Sequence, residues 1–202
     1  MCSVSRRRWR DLRSQFVKRA LDLIISGFAL VVLLLPMLAI ALLIKVESSG
    51  PALYWSDRVG RRGGVFRMPK FRSMRTDTPV VATHLLRDPE RYITQMGRLL
   101  RRTSLDELPQ LYSVMVGDMS LVGPRPALFN QNDLIALRTE HEVDSLRPGI
   151  TGWAQINGRD ELPISEKVAF DVEYLQRRSL VFDLKILFLT FWRVVTAHGV
   201  SH

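Results

Sequence analysis

The string Arg101-Arg102-Thr103-Ser104-Leu105-Asp106-Glu107-Leu108-Pro109-Gln110 sets two adjacent carboxylates just after two arginines. On a helix, neighbouring side chains point about 100° apart. Asp106 and Glu107 can therefore share one hard cation, each through its own side chain, as Mg²⁺ prefers. A position near a helix N-terminus keeps Asp106 ionised through the dipole. An ionised carboxylate beside a metal-bound phosphate is a nucleophile at phosphorus, and arginines neutralise phosphoryl oxygens in fork geometry. The same string also reads as a capping box, with Ser104 as the cap and Glu107 three residues on. That second reading leaves the flanking arginines unexplained.

Further arginines stand in conformationally restricted surroundings: Arg125 between Pro124 and Pro126, Arg147 before Pro148, and Arg159 after Gly158. A guanidinium held by prolines or a tight turn loses less entropy on meeting a phosphate. Each alone reads equally well as a surface or ion-paired arginine; together they suggest an anion-binding surface. The string GxxxxGK[ST] is absent, as is GxGxxG, so a nucleotide would be held by other means. Cys2 is the one cysteine, which excludes an intramolecular disulfide and a cysteine-rich zinc site. The four histidines show no metal-ligand spacing.

These residues must be positioned by a chain of 202 residues, enough for one domain with an appendage. Apolar residues make up 47% and charged residues 24%, which excludes a disordered polymer. Mean hydropathy is +0.03, high for a soluble protein of this size. Net charge is +9, and its placement is informative. Residues 1–19 hold seven positive charges against Asp11. A second cluster, Lys45, Arg58, Arg61, Arg62, Arg67, Lys70, Arg72 and Arg75, faces only Glu47 and Asp57. A solvated basic surface is the plain reading of both. Their position on either side of an apolar stretch favours anionic lipid headgroups.

That stretch, Leu23 to Ile44, is 22 residues without a charge, about 33 Å as a helix and close to a bilayer core. It is too long for a signal peptide and no cleavage site follows. Spanning is the direct reading. Pro36 argues for a kink instead. Two basic flanks argue that both ends stay on the cytoplasmic side, as in a helix that enters, breaks and returns. A buried soluble helix is the third reading. Asp22 is expected at the interface, paired with Arg19.

Beyond it, Ala52–Trp55 and Val65–Met68 read as strands of a hairpin turned at Gly63-Gly64. Helices are expected at 88–102, around 105–116, at 130–145 and at 163–178. Residues 123–127 exclude regular structure through two prolines. Residues 147–160 read as an ordered loop. Residues 180–197 read as a helix with Leu184, Phe188, Phe191 and Val195 on one face, suited to a core or to a membrane interface.

Taken in order, several strings resemble the bacterial sugar transferase family, the small monotopic polyprenyl-phosphate phosphoglycosyl transferases. They are Lys18-Arg19-Ala20-Leu21-Asp22, Pro36, Lys70-Phe71-Arg72-Ser73-Met74, Thr103 to Gln110, Gly117 to Pro126, and Arg147 to Arg159. The resemblance implies an α/β, mostly helical fold. Residues 1–17 would be a basic tail and 18–48 a re-entrant membrane helix-break-helix. Residues 49–202 would be a cytoplasmic-face catalytic domain with amphipathic interfacial helices. It implies Asp106 as nucleophile, Asp106 and Glu107 as ligands of Mg²⁺, Arg101 and Arg125 as phosphate contacts, and Pro36 as the helix breaker. Lys70, Arg72, Arg147 and Arg159 stand in the matching strings and complete the expected phosphate-binding set. One departure is Leu35, where many members carry Ser before the proline.

The reaction so implied moves a sugar 1-phosphate from a UDP-sugar to undecaprenyl phosphate through an aspartyl-phosphosugar intermediate and releases UMP. It would take place at the bacterial inner membrane, against anionic lipids and without nucleic acid; a homodimer is compatible with the chain. The segment Arg159 to Ile164 points to an N-acetylated amino or diamino deoxysugar, with glucose or galactose as the alternative. Two other readings are a membrane-anchored basic adaptor or nucleic-acid-binding protein, for which no recognition helix or stacking platform is found, and a metal-dependent hydrolase using the same dyad.

Overall fold

The computed structural model describes residues 2–79, 89–158 and 162–196. Helix α1 runs from Cys2 to Glu47 with Pro36 inside it. The helix-break-helix expected at that residue is thus one continuous helical element. Pro36 lacks the N–H that would meet the carbonyl of Val32, so it removes one rung without ending the helix. One stripe of α1 packs inward: Ala29, Leu30 and Leu33 against one cluster, and Met37, Ile40, Ala41 and fully buried Ile44 against another. The opposite stripe, including Phe28, Val31, Leu35 and Leu38, is exposed. A helix this apolar that leaves most of its surface uncovered is long enough to cross a membrane.

The expected hairpin forms. Strands β1 (Leu53–Val59) and β2 (Val65–Phe71) pair antiparallel from Leu53↔Phe71 to Val59↔Val65. Their connection uses positive φ at Arg62 and Gly63. Next come α2 (Gln95–Thr103), α3 (Gln110–Val116), β3 (Ser120–Val122) and β4 (Ala127–Leu128). They are followed by α4 (Asn132–Glu140), β5 (Gly149–Thr151), α5 (Trp153–Asn157), α6 (Ile164–Arg177) and α7 (Leu180–Thr196). Strand β4 adds to β1, giving the order β2-β1-β4, while β3 and β5 form a separate parallel pair. The described chain is mostly helical with two small sheets. The stretch 147–160, expected as loop, instead supplies β5 and α5. Strand β5 approaches β3 so closely that a β-carbon on Gly149 would overlap the backbone of Gly123. That contact explains glycine at both places and anchors the loop that carries Arg125.

The main core gathers Leu111, Leu121, Val122, Ile156, Tyr174, Phe182 and Ile186 from α3, β3, α5, α6 and α7. A fully buried Leu or Ile contributes about 1.5–3 kcal/mol. Helix α7 divides its faces accordingly: Phe182 and Ile186 point in, while Leu184, Phe188, Phe191 and Trp192 are exposed. A polar network ties α1 to this core. Lys18 Nζ donates to Asp183 Oδ2 (2.7 Å) and to the carbonyl of Val122 (3.1 Å), and Tyr174 Oη donates to Asp183 Oδ1 (2.7 Å). The expected Arg19–Asp22 pair does not form. Asp22 is buried and accepts from Ser120 Oγ (2.8 Å) and the N–H of Leu121 (3.2 Å); Arg19 donates to the carbonyls of Val114 and Met115. Tertiary acceptors displaced the local salt bridge because Asp22 faces β3, where its charge is offset by two donors.

Candidate active site

Asp106 and Glu107 lie in a single 3-10 turn, Leu105–Glu107, wedged between α2 and α3. The expected capping box is absent. Ser104 takes a left-handed conformation (φ 56°) at the C-terminus of α2 and its hydroxyl caps nothing. The helix expected around 105–116 is therefore a 3-10 turn followed by α3. This break lets two successive carboxylates leave the helix line and face β2 and the loop after β3.

Glu107 is fully engaged. Its Oε1 accepts from Lys70 Nζ on β2 (3.0 Å) and from Arg125 Nη2 (2.7 Å), and its Oε2 from Arg125 Nη1 (3.4 Å). Burial opposes its ionisation, but Arg125 and Lys70 outweigh burial and hold the carboxyl well below the usual range. Asp106 is in a different state one residue away. It is 8% exposed, and among the described residues none donates a hydrogen bond to its carboxylate. Burial, with the negative charge of Glu107, pushes its carboxyl up, against the pull of Lys70, Arg125 and Arg101. Burial likewise pushes the Lys70 ammonium down, while Glu107 pulls it up.

Two arginines that sequence reasoning missed hold this arrangement. Arg138 on α4 donates through Nη1 to the carbonyl of Arg125 (2.8 Å), and through Nε and Nη2 to Asp171 Oδ2 on α6 (2.9 and 2.7 Å). Arg58 on β1 donates through Nη1 to the carbonyl of Pro126 (3.2 Å). The loop 123–126 is thereby pinned from both sides. Asp171 gave a signal: it shares the inward face of α6 with Val168 and Tyr174, both buried, and a carboxylate there requires a cation.

Of the expected phosphate-binding set, the structure gathers Lys70, Arg101 and Arg125 around the dyad. It sends two elsewhere. Arg72 is buried and donates to the carbonyls of Ser48 and Ser49 (2.8 and 2.7 Å) and to Ser48 Oγ (2.7 Å), clamping the turn after α1. Arg72 lies one residue beyond β2, where its N–H meets the carbonyl of Ala52 (2.8 Å), and its guanidinium is taken by the end of α1 rather than by the dyad. Arg147 lines a separate cavity with Arg61 and Arg178. Arg159 lies outside the described residues.

A continuous match to the bacterial sugar transferase profile runs over residues 13–197. The chain belongs to that family. It is 40% identical over 187 residues to the uncharacterized sugar transferase EpsL of Bacillus subtilis (strain 168), covering 92% of this chain and 90% of the relative. It is 40% identical over 189 residues to the UDP-glucose:undecaprenyl-phosphate glucose-1-phosphate transferase of Escherichia coli (strain K12). It is 41% identical over 189 residues to the undecaprenyl-phosphate glucose phosphotransferase of Komagataeibacter xylinus. The match covers 89% and 88% of this chain but only 40% and 36% of those two relatives.

Of the dyad, only Asp106 accepts no hydrogen bond among the described residues. Asp106 fits a hard cation that takes one or two carboxylates and completes its shell with water and phosphate oxygens. Glu107 fits only where it exchanges Arg125 or Lys70 for the metal, since both its oxygens already accept from cations. Among the described residues no larger group of His, Cys, Asp and Glu gathers.

Proposed function

We propose that this protein transfers a hexose 1-phosphate from a UDP-sugar to undecaprenyl phosphate, with Asp106 as nucleophile. The observation that carries this reading is the asymmetry of the dyad: Glu107 is saturated by Lys70 and Arg125, while Asp106 beside it accepts no hydrogen bond among the described residues. An oxygen of Asp106 attacks the β-phosphorus, and the bond from that phosphorus to the bridging oxygen breaks. UMP leaves with the bridging oxygen. An oxygen of the lipid phosphate then attacks the same phosphorus, and Asp106 departs as carboxylate, so the expected kinetics are ping-pong. Arg125, Lys70 and Arg101 lower the charge barrier between anions. Mg²⁺ held at Asp106 would supply further charge neutralisation.

The sugar read from segment 159–164 gives way to a plain hexose. Residues 159–161 lie outside the described residues, and relatives named for glucose or galactose outnumber one named for N-acetylgalactosamine. Glucose is the first donor to test, galactose the second.

The membrane reading favours re-entry over spanning. Both ends of the apolar segment bond to one folded body: Lys18, Arg19 and Asp22 to β3, α3 and α7, and Glu47 to the N–H of Met96 while Ser48 and Ser49 meet Arg72. A folded domain on one side of a bilayer would keep both ends there, which supports re-entry, with the missing rung at Pro36 as the place where α1 would bend. The exposed face of α7 would rest at the same interface.

The deciding experiment measures UMP release by the detergent-solubilised full chain with Mg²⁺ and a panel of UDP-sugars, with and without undecaprenyl phosphate. Release with UDP-glucose or UDP-galactose, sustained only with lipid phosphate and lost in Asp106→Asn, is expected. Sustained release without lipid phosphate would make it a hydrolase. Preference for an N-acetylated donor would overturn the hexose assignment.

A further inference from the structure

A second cationic site lies apart from the dyad. A cavity of about 130 Å³ opens between α1 and three turns. Arg61 comes from the β1–β2 turn, Arg147 from the approach to β5, and Arg178 from the α6–α7 connection. Lys18, Arg19, Asp22 and Asp183 form the α1 and α7 walls. The wall charges are mutually satisfied: Lys18 pairs with Asp183, Asp22 with Ser120 and Leu121, and Arg19 with two carbonyls. The three rim arginines are not neutralised. Arg61 Nε donates to the carbonyl of Ser145 (2.7 Å), and among the described residues none of the three has a carboxylate partner. They act on one another, since the Arg61 guanidinium is pushed down by burial and by its neighbours Arg62, Arg147 and Arg178. Three like charges held around one cavity call for an anion.

The direction of the cavity identifies the anion's carrier. Gln15, Lys18, Arg19 and Asp22 of α1 line the polar part. A narrow crevice shares Lys18, Asp22 and Asp183 and continues along Leu21 and Ile25 of α1 and Leu184 and Leu187 of α7. Along both helices the lining changes from charged to aliphatic within about a turn, and on α1 the change coincides with the start of the uncharged stretch at Leu23. A soluble phosphate would occupy the cavity alone, whereas an anionic lipid would also lay an aliphatic chain along the open crevice.

We propose that this cavity and crevice bind one anionic phospholipid, its phosphodiester among Arg61, Arg147 and Arg178 and an acyl chain between α1 and α7. None of the residues lining either space belongs to the dyad or its cations, so the bound lipid is not the reacting phosphate. The proposal rests on membrane association of α1 and is independent of the transfer chemistry.

The test is native mass spectrometry of the full chain in detergent, incubated with phosphatidylglycerol or phosphatidylcholine. Retention of phosphatidylglycerol in preference to phosphatidylcholine is expected. At about 1 kcal/mol per arginine near an anionic surface, Arg61→Gln with Arg178→Gln lowers that affinity about thirtyfold, and Arg147→Gln alone about fivefold. Arg62→Gln, next to the rim but outside the lining, leaves it unchanged. Equal retention of the two lipids, or unaltered retention in both rim variants, would overturn the proposal. So would displacement of the lipid by millimolar inorganic phosphate, which would mean an adventitious ion site. The readout is binding, so it stands or falls separately from UMP release.

Discussion

Arg138 joins Asp171 of α6 to the backbone of Arg125: one guanidinium reaches the carboxylate through Nε and Nη2 and the Arg125 carbonyl through Nη1 at 2.8 Å. Arg125 in turn holds Glu107. A buried ion pair on the far side of the loop thus sets where a candidate phosphate-binding arginine stands. Removing one partner of such a pair leaves a buried charge and costs about 3–5 kcal/mol, so Arg138→Ala is expected to lower the melting temperature sharply. Arg138→Met with Asp171→Leu removes both charges and restores the fold, yet leaves the Arg125 carbonyl without its donor. UMP release by the double variant is expected to fall about tenfold, the worth of one hydrogen bond of about 1.4 kcal/mol. Wild-type release by a well-folded double variant would show that the pair serves stability alone.

The two carboxylates of the dyad should respond oppositely to amide substitution. Asp106→Asn replaces a group that accepts no hydrogen bond among the described residues, so the fold is expected to be retained while turnover is lost, because an amide forms no acyl phosphate. Glu107→Gln takes the counter-charge from Lys70 and Arg125 and is expected to cost about 3 kcal/mol of stability. Thermal melts beside UMP release separate the two; an Asp106→Asn variant that turns over normally would end the nucleophile assignment.

Burial raises the Asp106 carboxyl above the ordinary aspartate value of 3.8. A carboxyl so raised takes up its proton at higher pH, and the proposed nucleophile is lost as pH falls through that value. The acid limb of kcat/KM for the donor, which reports the free enzyme, is therefore expected above the ordinary aspartate range. Glu107 has the opposite sign: its depressed value stabilises the fold above the unfolded glutamate value of 4.5, and this contribution is lost only below it. Activity should thus decline on acidification before the fold does. Coincident loss of both would contradict the ordering.

Re-entry of α1 predicts that both flanks face one compartment. With Cys2 replaced by Ser, single cysteines at Gln15 and Ser49 are expected to react with a membrane-impermeant thiol reagent in inverted vesicles and to be protected in right-side-out ones. Labelling from opposite faces would make α1 a span. Pro36→Ala is expected to shift the balance in that direction, since it restores the missing rung at Val32.

Much of this protein was legible in its sequence because the signals are local. A charge-free run from Leu23 to Ile44, a Gly-Gly turn between two strand-like runs, and a capped-looking Asp-Glu pair each lie within a short window. The α6 boundaries, 163–178 expected and Ile164–Arg177 found, agree to within a residue at each end, with Pro163 just before the start. The sorting of the arginines was not legible. Lys70, Arg72, Arg125 and Arg147 look alike in sequence, a cation beside a proline or a strand. Only the antiparallel register and the β3–β5 pairing decide that Lys70 and Arg125 meet Glu107 across 37 and 18 residues, that Arg72 clamps the end of α1, and that Arg147 turns to another cavity. A long flexible side chain carries little information about its target, because its partner is chosen by whichever buried acceptor the fold brings within reach. The left-handed turn at Ser104 escaped for a related reason. Local propensity favoured a helix cap there, and packing of α2 and α3 on β2 overrode it, which is what freed Asp106 and Glu107 to face the site.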